Sequence, residues 1–201
     1  KGQFFYLYLI MDVFSRKIVG WEIFARECAD HAATVFHKAH LREGVQGKDL
    51  VLHSDNGAPM KGATMLATLQ RLGVVPSFSR PSVSNDNPFS EALFKTLKYC
   101  PEFPTKPFET LEAARQWVHA FVHWYNEEHR HSALKFVTPA QRHRGEDEEI
   151  LRQRERLYAA AREQQPARWS GSTRNWERES SVQLNPGRPL KAQSEDTQEA
   201  A

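Results

Sequence analysis

The sequence predicts an α/β domain with a mixed sheet flanked by helices, and three observations carry that expectation. Two β-rich apolar runs, Phe4 to Val13 and Ile18 to Phe24, flank the polar turn Ser15-Arg16-Lys17 and read as an antiparallel pair. An apolar strand from Asp49 to Ser54, a helical stretch from Gly62 to Leu72 and a short strand-like Val74 to Phe78 then follow in order. Strand, helix, strand needs a crossover, and a crossover makes the two strands parallel. Finally, the second half of the chain is helical in pattern up to a polar end.

Each element has its local reason. Asp30 is an N-cap candidate for a helix through Val35, Phe36 and Ala39 that stops at Gly44. Leu66, Leu69 and Leu72 make one helical stripe that ends at Gly73. The stretch Arg80-Pro81-Ser82-Val83-Ser84-Asn85-Asp86-Asn87 is rich in turn formers, and Pro88 suits the first turn of a helix running to Cys100. Thr110 can cap a longer helix that places Ala114, Trp117, Val118, Phe121 and Tyr125 on one stripe and ends near Glu128. Thr138-Pro139 opens another helix, interrupted at Gly145 and resumed from Glu146 to Gln164. These signals divide the chain into a core at 4–143, a charged helix at 144–165 and a flexible polar tail at 166–201 with at most local structure.

Composition sets the class of partner. Charged residues at 26% and aromatics at 11%, with five Trp and twelve Phe, describe a folding chain rather than a disordered one. A net charge of +2 permits a polyanionic partner without requiring one. Cys28 and Cys100 are far apart and lack C-x-x-C spacing, so both are expected to be reduced thiols in a cytoplasmic protein. No apolar run approaches the roughly 18 residues of a membrane span, so no membrane partner is expected.

Two carboxylates stand out. Asp55 ends the apolar strand Leu50-Val51-Leu52-His53-Ser54, and the carboxyl ends of parallel strands are where α/β folds hold reactive groups. Asn56-Gly57 turns the chain away and leaves that side chain uncovered; a plain turn explains the tripeptide equally well. Glu91 lies in the helix opened by Pro88, on the face opposite Phe89, Leu93, Leu97 and Cys100, together with Lys95 and Lys98. Taken alone, that face is a solvated one with an i, i+4 Glu-Lys pair.

Several motifs in order alter this reading. His53-Ser54-Asp55-Asn56-Gly57 precedes Asn85-Asp86-Asn87-Pro88-x-x-Glu91 with thirty-five residues between the two acids, and Lys98 follows seven residues on. Upstream is Tyr6-Leu7-Tyr8-Leu9-Ile10-x-Asp12-x-Phe14-Ser15-Arg16-x-Ile18-Val19-Gly20-Trp21, and downstream are Tyr125-Asn126, His131-Ser132-x-Leu134 and Thr138-Pro139. Over residues 4 to about 143 this resembles the catalytic core of DDE transposases and retroviral-type integrases, in the insertion-sequence branch. An Arg usual shortly after Tyr125-Asn126 is shifted, with His129 at its place and Arg130 beside it.

The resemblance implies a ribonuclease-H-like sheet and metal-dependent cleavage and strand transfer of transposon ends. Phosphoryl transfer of this kind uses two Mg²⁺ or Mn²⁺ ions roughly 3.5–4 Å apart, and hard cations take carboxylate oxygen. Asp55 and Glu91 would be the catalytic metal ligands. Lys98, Lys95, Arg80, Asn87 and His131 would contact DNA. Transposon ends and target DNA, a homo-oligomer in the active complex, and a separate or upstream helix-turn-helix protein are the implied partners, with a nucleoid location when active.

The family's first acid lies on an opening strand that is central in the strand order 3-2-1-4-5. Only Lys1-Gly2-Gln3 precede the segment matching the second strand, so the first Asp is expected to be absent and the core to lack its central strand. Asp12 aligns with the Asp-x-Phe-Ser-Arg feature and is not expected to substitute. Two functions then follow: an active transposase core if an upstream strand exists, or a catalytically dead fragment of a decayed element that retains nucleic-acid binding. The histidines lack the companion spacing of a structural zinc site.

Overall fold

The computed structural model describes residues 4–80 and 86–184. Strand β1 (Tyr6–Met11) pairs antiparallel with β2 (Ile18–Phe24), Tyr6 opposite Phe24 and Ile10 opposite Gly20, with an irregularity between Ile10 and Met11. Asp12 shapes the connecting turn: its Oδ2 accepts the Ser15 amide at 2.9 Å and the Ser15 hydroxyl. Arg16 completes the turn in the left-handed region, at φ 65°.

Helix α1 (Ala29–Arg42) lies against this pair, with Ala32, Ala33, Val35, Phe36, Ala39 and His40 buried. Gly20 permits the approach, because a Cβ there would sit 2.9 Å from the Ala39 Cβ. The expected Asp30 cap is corrected: Cys28 is the capping residue and makes no side-chain cap, while Asp30 falls in the first turn. A carboxylate there still faces the positive end of the helix dipole, which is why the sequence signal misplaces the start by two residues.

Strands β3 (Leu50–Ser54) and β4 (Val74–Phe78) pair in parallel, connected through α2 (Ala58–Lys61) and α3 (Ala63–Arg71). The short α2, with Pro59 in its opening turn, was not among the expected elements. Helix α4 (Pro88–Tyr99) starts at its proline, and α5 (Leu111–His123) is capped by Thr110, whose hydroxyl accepts the Ala113 amide at 3.1 Å. A π-helical turn, Trp124–Glu128, extends α5. Thr138 and Gln141 form a reciprocal capping box on α6 (Pro139–His143), and α7 (Asp147–Gln164) follows.

Among the described residues the strands are not joined into one sheet but form two pairs, β1-β2 and β3-β4. Each half has its own core: Ile18, Ile23, Leu93, Leu97, Val118, Phe121 and Tyr125 in one, and Ala32, Phe36, Met65, Leu69 and Val74 in the other. Between the halves runs a cavity of about 530 Å³ lined by residues of β1 and β3, with a smaller one of about 260 Å³ beyond it.

The segment expected to be a flexible tail is corrected in its described part. Trp176 is only 6% exposed and packs with Leu134, Val137 and Leu151 in a third cluster. Arg178 donates Nε and Nη2 to the fully buried Asp147 at 2.8 and 3.1 Å, and Arg142 donates to the Glu179 carbonyl at 3.1 Å. Polar composition hid this docking, because its apolar part is a single tryptophan and the rest is ion pairs and hydrogen bonds. Residues 1–3, 81–85 and 185–201 lie outside the described residues, and with them Asn85 of the acidic-helix motif and the end of the tail.

Candidate active site

Asp55 is exposed at the carboxyl end of β3, the position that strand polarity selects. Its Oδ1 accepts the Gly57 amide at 3.0 Å, an Asx turn that holds the carboxylate at the cavity rim. No ion pair engages it among the described residues, so its second oxygen is free to bind elsewhere. Asn56 Nδ2 donates to the Ser79 carbonyl at 2.8 Å, tying the end of β3 to the exit of β4.

His53 links this strand to the loop before α4. Its Nε2 lies 3.0 Å from the Asp86 carbonyl, which can only accept, so Nε2 carries the hydrogen and Nδ1 accepts from Ser77 Oγ at 3.0 Å. The buried Asp86 carboxylate accepts Arg80 N at 2.7 Å, Nε at 2.9 Å and Nη2 at 2.7 Å. That pairing raises the Arg80 guanidinium above its ordinary value. Asp86, His53 and Arg80 thus clamp the loop that delivers α4, a role with no signature in the sequence, since an Asp between two Asn reads as a turn.

Asn87 is the α4 cap position but makes no side-chain cap, and it lines the 530 Å³ cavity with Asp55, Phe89 and Ser90. Glu91 is the next residue along α4, on the exposed face with Lys95 and Lys98. The expected i, i+4 pair is not formed: among the described residues Glu91, Lys95 and Lys98 make no ion pair. The structure therefore brings Asp55 to the same cleft as the first turn of the Glu91 helix, with Glu91 just outside the cavity lining.

The other expected contacts divide. Arg80 is engaged with Asp86 although its side chain is 71% exposed. His131 is turned inward; its Nδ1 is buried without a partner among the described residues. Burial, then the charges of Arg16 and His129, push His131 down to about 4, so at neutral pH it carries no charge to offer a phosphate. Asp12 is committed to its turn, lies 3.5 Å from His143 Nδ1, and lines the smaller cavity rather than the one holding Asp55. Arg16 reaches the other way, its guanidinium carbon 3.8 Å from the centre of the Phe89 ring, bracing the first turn of α4.

Hard divalent cations fit the donor set in kind, since Asp55 and Glu91 are exposed carboxylates without ion-pair partners. Among the described residues there is no cluster of three His, Cys, Asp or Glu side chains placed to hold a metal ion. Two acids supply part of a coordination shell and no more.

Two integrase core domain families match the chain, one over residues 1–84 and the other over 72–139. The transposase for insertion sequence element IS904 of Lactococcus lactis is 33% identical over 67% of this chain and 53% of its own length. A putative transposase for IS986/IS6110 of Mycobacterium tuberculosis is 28% identical over 60% of this chain and 46% of its own. The chain spans about half the length of these curated relatives. Among solved structures, the catalytic core domain of BIV integrase aligns with a TM-score of 0.53 at 18% identity, over 72% of this chain and 88% of that one. A chain of the simian T-cell lymphotropic virus intasome aligns with a TM-score of 0.53 at 17% identity, over 67% of this chain and 46% of that one. These likenesses give the fold as the ribonuclease-H-like one of retroviral integrase cores. The sequence matches, which together run over residues 1–139 and whose curated relatives are transposases of insertion sequences, put this chain in the integrase core family.

Proposed function

We propose that this chain is the catalytic portion of a DNA transposase that cuts the ends of an insertion element and joins them to target DNA. The observation that supports this reading best is the cleft itself. It sets an unpaired carboxylate at the end of a parallel strand against the first turn of the helix that bears a second unpaired carboxylate.

In this reading Asp55 and Glu91 hold divalent cations, which when bound would activate the attacking oxygen and neutralise the leaving one. Lys98 and Lys95, free on the same helix face, attract the phosphate backbone and set its register. The Asp86 clamp and the Arg16–Phe89 contact fix where α4 begins and so where Glu91 stands. Arg80 and Asn87 are assigned to the DNA side of the cleft, whereas His131, turned inward and neutral, is left to the fold. Transposon ends, target DNA and further copies of the chain are the partners.

The third acid belongs, in this proposal, to a strand lying between β1 and β3. Both strands border the slot and have no partner on that side among the described residues, and unmet backbone groups cost about 1–3 kcal/mol each when buried. Residues 4–184 by themselves would then bind DNA and turn over little, which is how a fragment of a decayed element would also behave. The test is strand transfer with Mn²⁺ on a pre-cut end, comparing the 201-residue chain with one extended upstream by an apolar strand bearing an Asp. The extended form should gain at least about a hundredfold, the scale at which loss of a catalytic metal ligand is felt. Equal activity in the two would defeat the strand assignment, and no DNA transaction by either would defeat the transposase reading.

A further inference from the structure

The docked C-terminal segment leads into the candidate active site. It is anchored first by Trp176, which is buried against Leu134, Val137 and Leu151 and has Arg154 and Arg174 over its ring at 5.5 and 5.6 Å. Arg178 adds a bidentate bond to Asp147, which raises that guanidinium above its ordinary value, and lies 5.4 Å from the Phe14 ring. At Glu179 the backbone accepts from Arg142, whose Nε is bonded to the Phe14 carbonyl at 2.9 Å. The segment has by then reached the β1–β2 turn, whose Arg16 braces α4. Five residues later Leu184 is half-buried and lines the same cavity as Asp55, Asn87, Phe89 and Ser90.

We propose that the segment from Trp176 to Leu184 is a strap that occupies the cleft in the DNA-free chain and must withdraw before a nucleic-acid backbone reaches Asp55. The anchor and the tip have different chemistry. A buried indole and a half-buried arginine paired with a buried aspartate hold the root, while among the described residues a single leucine against the apolar wall of the cavity holds the far end. A contact of that size is reversible, so the tip can leave while the root stays. Ser180, Ser181 and Gln183 lie between them with no hydrogen bond to the core among the described residues, which lets the tip swing. Regulation of access to Asp55 by this strap rests on the function proposed above; the position of the strap does not.

Ser90→Cys places a thiol in the cavity that Leu184 also lines, and its labelling by a maleimide can be followed by peptide mass spectrometry in the full chain. Cys28 and Cys100, both only partly buried, serve as references in the same digests. Leu184→Gly, which removes the tip and leaves the anchor, should raise labelling at position 90 several-fold with the references unchanged. Trp176→Ala should do the same, and because that change also opens a core cluster, Leu184→Gly is the deciding variant. Unchanged labelling in Leu184→Gly overturns the strap.

The second arm is the affinity of the Leu184→Gly chain, with Ser90 intact, for a short fluorescent DNA duplex. Apparent affinity scales with the fraction of chains whose cleft is open, so it should rise about three- to tenfold. Faster labelling with unchanged affinity overturns the gating. If neither protein binds the duplex, the transposase reading fails while the labelling result still decides the strap.

Discussion

His131 shows what a single side chain contributes beyond its motif. In sequence it is one histidine among nine; in the fold it follows the π-helical turn, buried near Arg16 and beside His129 at 5.8 Å between ring centres. Burial lowers it to about 4 from 6.5, and burial lowers His129 as well. Between those pH values the unfolded chain holds a proton that the folded one refuses. Stability is therefore complete above about pH 6.5 and is lost as pH falls through about 4. Thermal melts from pH 7 to pH 4 should show a fall in Tm of roughly 5 °C beyond that of a His131→Gln chain. Parallel curves for the two proteins would show that His131 is not held neutral by its surroundings. The residue was legible as part of a family motif but its state was not, because the burial that suppresses it exists only in the fold and the cation that adds to it, Arg16, comes from 115 residues earlier in the chain.

Asp55 and Glu91 were legible for the opposite reason, since each is specified locally. Asp55 needs only the end of an apolar strand and a turn, and Glu91 needs only a helix start at Pro88 and a count of helical positions. The Asp86 clamp was not legible. Its partners, His53 and Arg80, belong to a strand end and a loop, and a tight carboxylate-guanidinium fork between them leaves no periodic trace.

At the scale of elements, the helical half is joined to the strands by groups that behave like extra backbone. Asn126, buried in the turn that extends α5, accepts the Ile18 amide at 2.9 Å and donates to the Ile18 carbonyl at 3.1 Å. It pairs with the first residue of β2 as a neighbouring strand would. Tyr125 beside it is 1% exposed and is pushed up to about 12 by burial, so it stays neutral in the core. Asn126→Ala would leave both Ile18 groups buried and unpaired, at about 1–3 kcal/mol each. Denaturant melts should show a loss of roughly 2–5 kcal/mol, with m unchanged. A loss below about 0.5 kcal/mol would mean that water takes the place of the amide. Helix α5 itself was evident from its aromatic stripe and Thr110 cap, whereas the π-helical turn that rotates Tyr125 and Asn126 inward has no sequence signature.

For the whole molecule, the division into two half-sheets is the main fact. The period-2 pattern of β1 and β2, and the strand-helix-strand order of β3 and β4, made each pair legible. The gap between the pairs was expected only from the family resemblance, which sets a lacking strand between them; no local pattern shows it, because it depends on hydrogen bonds between strands distant in sequence. A slot bordered by two strand edges, a carboxylate at one lip and a leucine from the C-terminal segment inside it is the arrangement that joins fold to function here. Among the described residues no helix is long and apolar enough to cross a membrane. In the proposed function the polyanionic partner would meet Lys95 and Lys98, which make no ion pair among the described residues.

The central claim is that Asp55 and Glu91 hold the metal that drives DNA joining. Its most direct test exchanges the ligand for a softer one: Glu91→Cys and Asp55→Cys, each in the upstream-extended chain, assayed for strand transfer in Mg²⁺ and in Mn²⁺. Thiolate is a poor ligand for Mg²⁺ and a better one for Mn²⁺. The account predicts loss of at least about a hundredfold in Mg²⁺ and partial recovery in Mn²⁺ for both variants. Activity in Mg²⁺ equal to that of the parent would contradict it.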